Sequence, residues 1–442
     1  MYIALLTLAV AFASQPLTAR SLTVEDVIRL AKQDAPAIRV VNARAEASQY
    51  EAQSYLAEAF PKLDFNYDLS RQNQSLNIFQ AGGQPIEEVS SDNYRWALRL
   101  EGPLYTFGRV GALYTMYRAG TEKVKFSKNA SVSDTLRSII VDYVAALNAL
   151  KNLEVQKTAR ERARNNQAFV ELEFRGGAIK RTDLISSTAR LQEAEAVYYT
   201  AEASARDATD RLKLALGMAP DTSLELKLDQ NVDTSFFKTD ASTPPSETPA
   251  LKALRLEQEF AEADAKRAKA EYYPQIGVFA QIDGLSQHFV QPDNIPDANG
   301  GFAESFDDRW RNSSYGLSFK WNLFAGGKTY ANSNQQSAKA MIARIEYETA
   351  QRRDQIAKQS QLTYLRSSQK VYEANLKAVE ASRLNYETSQ SEFKNGAKSL
   401  TELFEEEEDL IRSEQRAISS FGDLILSIVD FRINYGREIT PL

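Results

Sequence analysis

The chain contains no cysteine, and its only histidine is His288. The first absence excludes disulfides, a thiolate nucleophile, a cysteine-based metal site and an acylated N-terminal cysteine. The second leaves little general-base or ligand chemistry, and His288 falls in a stretch that reads as a loop, where a solvated side chain is expected. Gly82-Gly83 and Gly300-Gly301 sit in no phosphate-cradling context, and no zinc motif or nucleophile–base pairing is present. The sequence therefore argues against an enzyme and implies neither cofactor nor metal. A surplus of positive charge is also missing: 59 acidic residues outnumber 53 Lys and Arg, a net charge of −6. That balance argues against nucleic acid as a partner. Nor is there a long apolar run. The longest, residues 3–13, falls short of the roughly 20 residues a membrane-spanning helix needs, in keeping with a mean hydropathy of −0.43.

That short run lies at the extreme N-terminus and ends in Ala11-Phe12-Ala13, with a second small-residue cut point after Ala19. It reads as a secretory signal peptide over residues 1–19, cleaved after 13 or 19, although no Lys or Arg precedes it.

The remainder is a tandem repeat. Gly176-Gly177-Ala178 followed by Thr182-Asp183-Leu184 matches Asn395-Gly396-Ala397 followed by Thr401-Glu402-Leu403. The offset is 219, and it also maps Phe174 onto Phe393, Gly217 onto Gly436, and Gly108-Arg109 onto Gly327-Lys328. Nearer the N-terminus, Pro36 matches Pro249 and Pro61 matches Pro274 at an offset of 213, so the extra residues of the second copy enter between Pro61 and Leu104. The expected organisation is a first repeat at 20–217, a linker at 218–248, a second repeat at 249–436 and a tail at 437–442. Within the linker, Leu224, Leu226 and Leu228 alternate, which predicts one short strand.

Each repeat predicts the same element order. An opening helix, residues 23–58 or 249–271 onward, is followed by Pro61 or Pro274, and the periodicity then switches from helical to alternating. Leu63, Phe65, Tyr67 and Leu69 alternate with Asp64, Asn66, Asp68 and Ser70, and Tyr94, Trp96, Leu98 and Leu100 with Arg95, Ala97, Arg99 and Glu101. In the second copy Ile276, Val278, Ala280 and Ile282 alternate with Gly277, Phe279, Gln281 and Asp283, and Tyr315, Leu317, Phe319, Trp321 and Leu323 with Gly316, Ser318, Lys320 and Asn322. Strands of about 9–11 residues, with loops at 71–90 and 284–312, have the length to cross a bilayer when tilted. A half-buried soluble hairpin would alternate equally well. Four strands alone cannot close in lipid, but three chains would supply twelve.

Proline-free stretches at 109–174 and 328–393 predict helices of roughly 100 Å, each followed by a shorter helix of roughly 55 Å at 180–216 or 399–435. Such helices must bury an apolar stripe against neighbours. A soluble coiled-coil scaffold would account for them, but not for the strands.

The duplication, the junctions Pro103-Leu104-Tyr105-Thr106-Phe107-Gly108-Arg109 and Asn322-Leu323-Phe324-Ala325-Gly326-Gly327-Lys328, and the two Gly-Ala hairpin tips together resemble the TolC family of outer-membrane efflux and secretion channels, over nearly the whole chain from Ser21. The resemblance implies an α+β membrane protein: a homotrimer with a 12-stranded β-barrel in the outer-membrane lipid, four strands per chain, and a long α-helical barrel in the periplasm of a Gram-negative bacterium. It implies a passive exit duct of a tripartite efflux or type I secretion system, working with a periplasmic adaptor and an inner-membrane transporter. The alternative is a periplasmic coiled-coil adaptor that is not itself a channel. The tips Gly176, Gly177, Ala178, Gly396 and Ala397 would be the adaptor-docking ends. Glu402 and Glu405, one helical step apart at i, i+3, match acidic positions that ring the family's periplasmic constriction, where three copies would raise some carboxylate pKa values by repulsion. Lys398 stands where the family often has a latching arginine, with Asp183 at an acidic position on the other hairpin. Phe393 replaces the tyrosine that usually partners that arginine.

Overall fold

The computed structural model describes residues 21–74, 89–226, 246–290, 306–437 and 439. The expected signal peptide, the crowns of the loops between paired strands, Leu228 with most of the linker, and most of the tail lie outside the described residues.

The elements are β1 (Ser21–Leu22), α1 (Val24–Asp34), α2 (Pro36–Ala57), β2 (Lys62–Gln74), β3 (Val89–Tyr105), α3 (Arg109–Arg175), α4 (Arg181–Leu216), β4 (Glu225–Leu226), α5 (Pro249–Lys269), a 3-10 turn (Ala270–Tyr272), β5 (Gln275–Val290), β6 (Phe306–Lys320), α6 (Lys328–Lys394) and α7 (Leu400–Asn434). Both long helices have 67 residues and begin and end 219 apart, and α4 and α7 begin 219 apart.

Two sequence expectations are corrected. The opening helix at 23–58 is divided, because Pro36 has no N–H to donate and pushes Ala35 into an extended conformation (φ −60°, ψ 126°). α1 begins at a Thr23–Asp26 capping box, and α2 takes Pro36 at its first position, where the missing N–H costs nothing. The strands are also longer than expected, at 13, 17, 16 and 15 residues. They run into the polar segments read as loops, so His288 lies in β5, across from Asp92 of β3 and Asp307 of β6. At the other end β6 stops at Lys320, leaving Trp321 and Leu323 beyond it.

The chain divides into two compact units. The first comprises residues up to 46, 125–252 and 349–442. Its core gathers Val27, Ile28 and Ala31 of α1, Leu136, Ile140, Tyr143, Val144 and Leu147 of α3, Leu212 and Leu216 of α4, and Phe421, Ile425 and Val429 of α7. The alternation of the linker yields a two-residue parallel pair, β4 on β1.

The second unit comprises residues 47–124 and 253–348. It holds an antiparallel sheet in the order β2-β3-β5-β6, so the hairpins of the two repeats join through β3 and β5. A bulge at Pro103/Tyr105 marks that join, the position at which a ladder tolerates a residue with no donor. The register aligns Phe65, Leu98 and Ile282 across three strands, and Leu63, Leu100, Ala280 and Tyr315 across four. All of these but Ala280 are exposed large apolar side chains on one face. The other face aligns Asp64, Arg99, Gln281 and Ser314. β2 and β6 pair on one side only among the described strands, so the sheet has two open edges.

Candidate functional site at the hairpin tips

The tips belong to the first unit and are built by the backbone. At the end of α3, Gly177 N donates to Phe174 O at 3.0 Å and Ala178 N to Glu173 O at 2.9 Å. At the end of α6, Gly396 N donates to Phe393 O at 3.0 Å and Ala397 N to Glu392 O at 2.9 Å. Both are Schellman caps that satisfy the last carbonyls of the helix. They require a left-handed residue, and Gly177 and Gly396 supply it at φ 77° and 73°.

The helices that leave the tips start differently. Lys180 caps α4 with no side-chain bond. Ser399 caps α7 with a full capping box: Glu402 N donates to Ser399 Oγ at 3.3 Å, and the Glu402 carboxylate accepts from Ser399 N at 2.8 Å. Glu402 also accepts from Ser399 Oγ at 2.7 Å. These bonds, the hydroxyl before the amide, hold the Glu402 carboxyl below the usual carboxylate range, and Lys398 adds to the effect. Within one chain this opposes the repulsion that three copies would add. Ser399→Ala should cost the start of α7 about 1 kcal/mol, read as faster hydrogen exchange at residues 401–404, whereas Lys180→Ala should leave the start of α4 unchanged.

Glu402 and Glu405 are both exposed on the first turns of α7. Lys398 turns back on its own hairpin, donating to Ser389 Oγ at 2.6 Å and pairing with Glu406 at 3.4 Å. Asp183 makes no ion pair among the described residues, so the chain does not bring it together with Lys398. Phe393 meets Phe169 edge to face, with ring centroids 5.8 Å apart, an apolar contact that needs no hydroxyl.

One residue of the acidic run behaves unlike the rest. The buried stripe of α7 near the tip runs Leu400, Leu403, Glu407, Leu410, Ser413. Glu407 is 1% exposed, and neither carboxyl oxygen has a hydrogen-bond partner among the described residues. Nearby, Arg162 of α3 lies over the Tyr386 ring at 5.3 Å and pairs with Glu414 at 3.8 Å. Burial pushes the Glu407 carboxyl up to about 7, against the pull of Arg190 and Arg162. Read as a charge run, this residue is missed. The spacing of Leu403 and Leu410 around it is the signal that finds it.

An exposed apolar sheet face with open edges, in one chain with long helices that reverse at glycine caps, is what a subunit of an outer-membrane channel requires. The profile of the family described as outer membrane efflux protein matches residues 27–218 and 246–421, and the chain belongs to that family. Its relative the alkaline protease secretion protein AprF of Pseudomonas aeruginosa is 22% identical over 425 residues, 93% of this chain and 82% of that protein. Among solved structures, the outer membrane protein VceC of Vibrio cholerae superposes with a TM-score of 0.74 at 15% identity, covering 94% of this chain and 96% of that one. The Campylobacter jejuni CmeC outer membrane channel gives 0.73 at 16% identity, with 99% and 93% covered. The protein is thus an outer-membrane exit duct of the tripartite efflux and secretion type, not an enzyme. Family membership implies a trimer and partners in a tripartite system.

Proposed function

We propose that three copies close their sheets into a twelve-stranded barrel and that the tips around Gly176–Ala178 and Gly396–Ala397 receive a periplasmic adaptor, which links the duct to an inner-membrane transporter. Glu402 and Glu405 form the selective constriction, six carboxylates around one aperture. The observation that carries this is the exposed placement of both carboxylates on the first turns of α7, just beyond the Gly396 cap, with Lys398 engaged elsewhere. Ionised side chains ringing a narrow pore favour cations. The likeness to a protein named for protease secretion supports type I secretion as the branch served.

In planar bilayers, the purified trimer should show discrete cation-selective openings. Glu402→Ala with Glu405→Ala should move the reversal potential under a salt gradient towards zero while conductance persists. An unchanged reversal potential removes both residues from the constriction. Failure of folded trimer to insert at all would favour the adaptor reading.

A further inference from the structure

Near the tips the two helical hairpins of the first unit meet through Phe169 against Phe393, Arg162 against Glu414 and the Tyr386 ring, and Arg190 beside the Phe404 ring, and the α6/α7 hairpin packs an apolar stripe of its own behind that seam. From α7, Leu403 and Leu410 pack with Tyr386 and Phe393 of α6, and between those two leucines the stripe presents Glu407 instead of a hydrocarbon. A carboxylate buried without hydrogen bonds is costly, and a neutral carboxylic acid is far less so.

We propose that Glu407 makes the contact between the α3/α4 and α6/α7 hairpins proton-dependent, packed when the carboxyl is protonated and loosened when it ionises.

The groups that face it come from every neighbouring helix. Arg162 on α3 and Arg190 on α4 favour the ionised form. Arg190 pairs with Glu193 and lies 5.9 Å from the Phe404 ring, while Arg162 pairs with Glu414 through Nη2 and lies over the Tyr386 ring, its buried Nη1 left without a hydrogen-bond partner among the described residues. Tyr386 on α6 is itself held protonated by burial and by Glu407, and its hydroxyl accepts from Gln390 Nε2 at 3.3 Å, while the buried Asn166 Nδ2 on α3 has no hydrogen-bond partner among the described residues. On α7, burial raises the carboxyl of Glu414 as well, opposed by Arg162. As packed, the seam gives an ionised Glu407 the field of two cations but no hydrogen bond to either carboxyl oxygen among the described residues.

The folded chain keeps the Glu407 proton up to about pH 7, whereas an exposed carboxyl gives it up near 4.5. Proton binding thus favours the packed seam. That contribution is complete below 4.5, declines as pH rises towards 7, and is gone above it. The tip end of α7 is easiest to part from α3 and α4 at mildly alkaline pH.

The test is hydrogen exchange on the whole trimer, comparing wild type with Glu407→Gln, which is neutral at every pH. Both proteins meet the same intrinsic exchange chemistry, so their ratio isolates the seam. At about pH 5, amides at 403–413 should exchange alike in the two proteins. At about pH 8.5 the wild type should exchange about tenfold faster or more, the ratio that one pKa unit produces. Residues 424–431 of the same helix should show no such change. Arg190→Gln should move the wild-type transition to higher pH by removing a cation that favours ionisation. A wild-type to Glu407→Gln ratio that is the same at both pH values overturns the proposal. Should Glu407→Gln yield no trimer, the wild type decides alone: a constant ratio of 403–413 to 424–431 exchange, corrected for intrinsic rates, overturns it.

Discussion

Leu98→Arg is expected to destabilise the membrane-inserted trimer by about 2–4 kcal/mol, whereas Ala97→Arg, one residue away, should be tolerated. Leu98 lies near the middle of β3, in register with Phe65 of β2 and Ile282 of β5. Those three form a column on the apolar face, where a guanidinium would be held at the depth at which lipid offers it nothing. Ala97 points to the opposite face, with Asn66 and Asp283 as its register partners. There an arginine finds a carboxylate and, in a closed barrel, water. Denaturant unfolding of the trimer in lipid vesicles, with the fraction of heat-resistant trimer in outer-membrane preparations, checks both. Equal effects of the two substitutions would mean that the sheet does not separate lipid from lumen.

The second large effect concerns a glycine where helix propensity gives the wrong answer. Gly422 lies inside α7, and replacing an interior helical glycine by alanine ordinarily gains about 0.8–1.0 kcal/mol. At this position a Cβ would stand 2.6 Å from Val144 Cγ1 and 2.8 Å from Asn148 Nδ2 of α3. Val144 is 4% exposed and has no room to retreat. Overpacking of this kind costs about 1–3 kcal/mol, occasionally more, so the clash outweighs the propensity. Gly422→Ala should shorten the half-life of the detergent-solubilised trimer on heating, and Gly422→Leu should do so more severely. Gly111 in α3 is the control. A Cβ there meets nothing within 4 Å, so Gly111→Ala should lengthen the half-life.

Much of this architecture was legible because helices of this length leave a strong signal and because the chain states its plan twice. The offset of 219 placed the ends of α3 and α6, and glycines mark each reversal. What was missed has physical causes. Gln72, Asn73 and Ser90 read as loop, yet they pair across β2 and β3, since the ladder is made by backbone groups and persists where both faces are polar. The same polarity hid the strand that carries His288. Pro36 was used only to set the repeat offset, and its break of the opening helix, which the missing N–H and the restricted residue before it produce, was overlooked. At the tip, the roles of Lys398 and Asp183 came from resemblance alone, and within one chain Lys398 bonds to Ser389 and Glu406. Glu407 looked like one charge among many, and only the three-and-four spacing of its neighbours separates it from the solvated face.

The left-handed positions of the two repeats carry one more consequence. Phe107 and Gly326, Gly108 and Gly327, Gly177 and Gly396, and Gly217 and Gly436 all have positive φ and lie 219 apart. From Phe107 onward the two copies have therefore kept the same count of residues through both arms of the hairpin, while the strand region upstream has not. One inserted residue turns everything beyond it on a helix through about 100°, exchanging buried faces for exposed ones, whereas a strand crown absorbs it locally. Natural length variants of this fold should therefore concentrate in the strand crowns. A hairpin can be extended only by matched insertions in its descending and returning arms, in both repeats, by numbers close to whole helical turns.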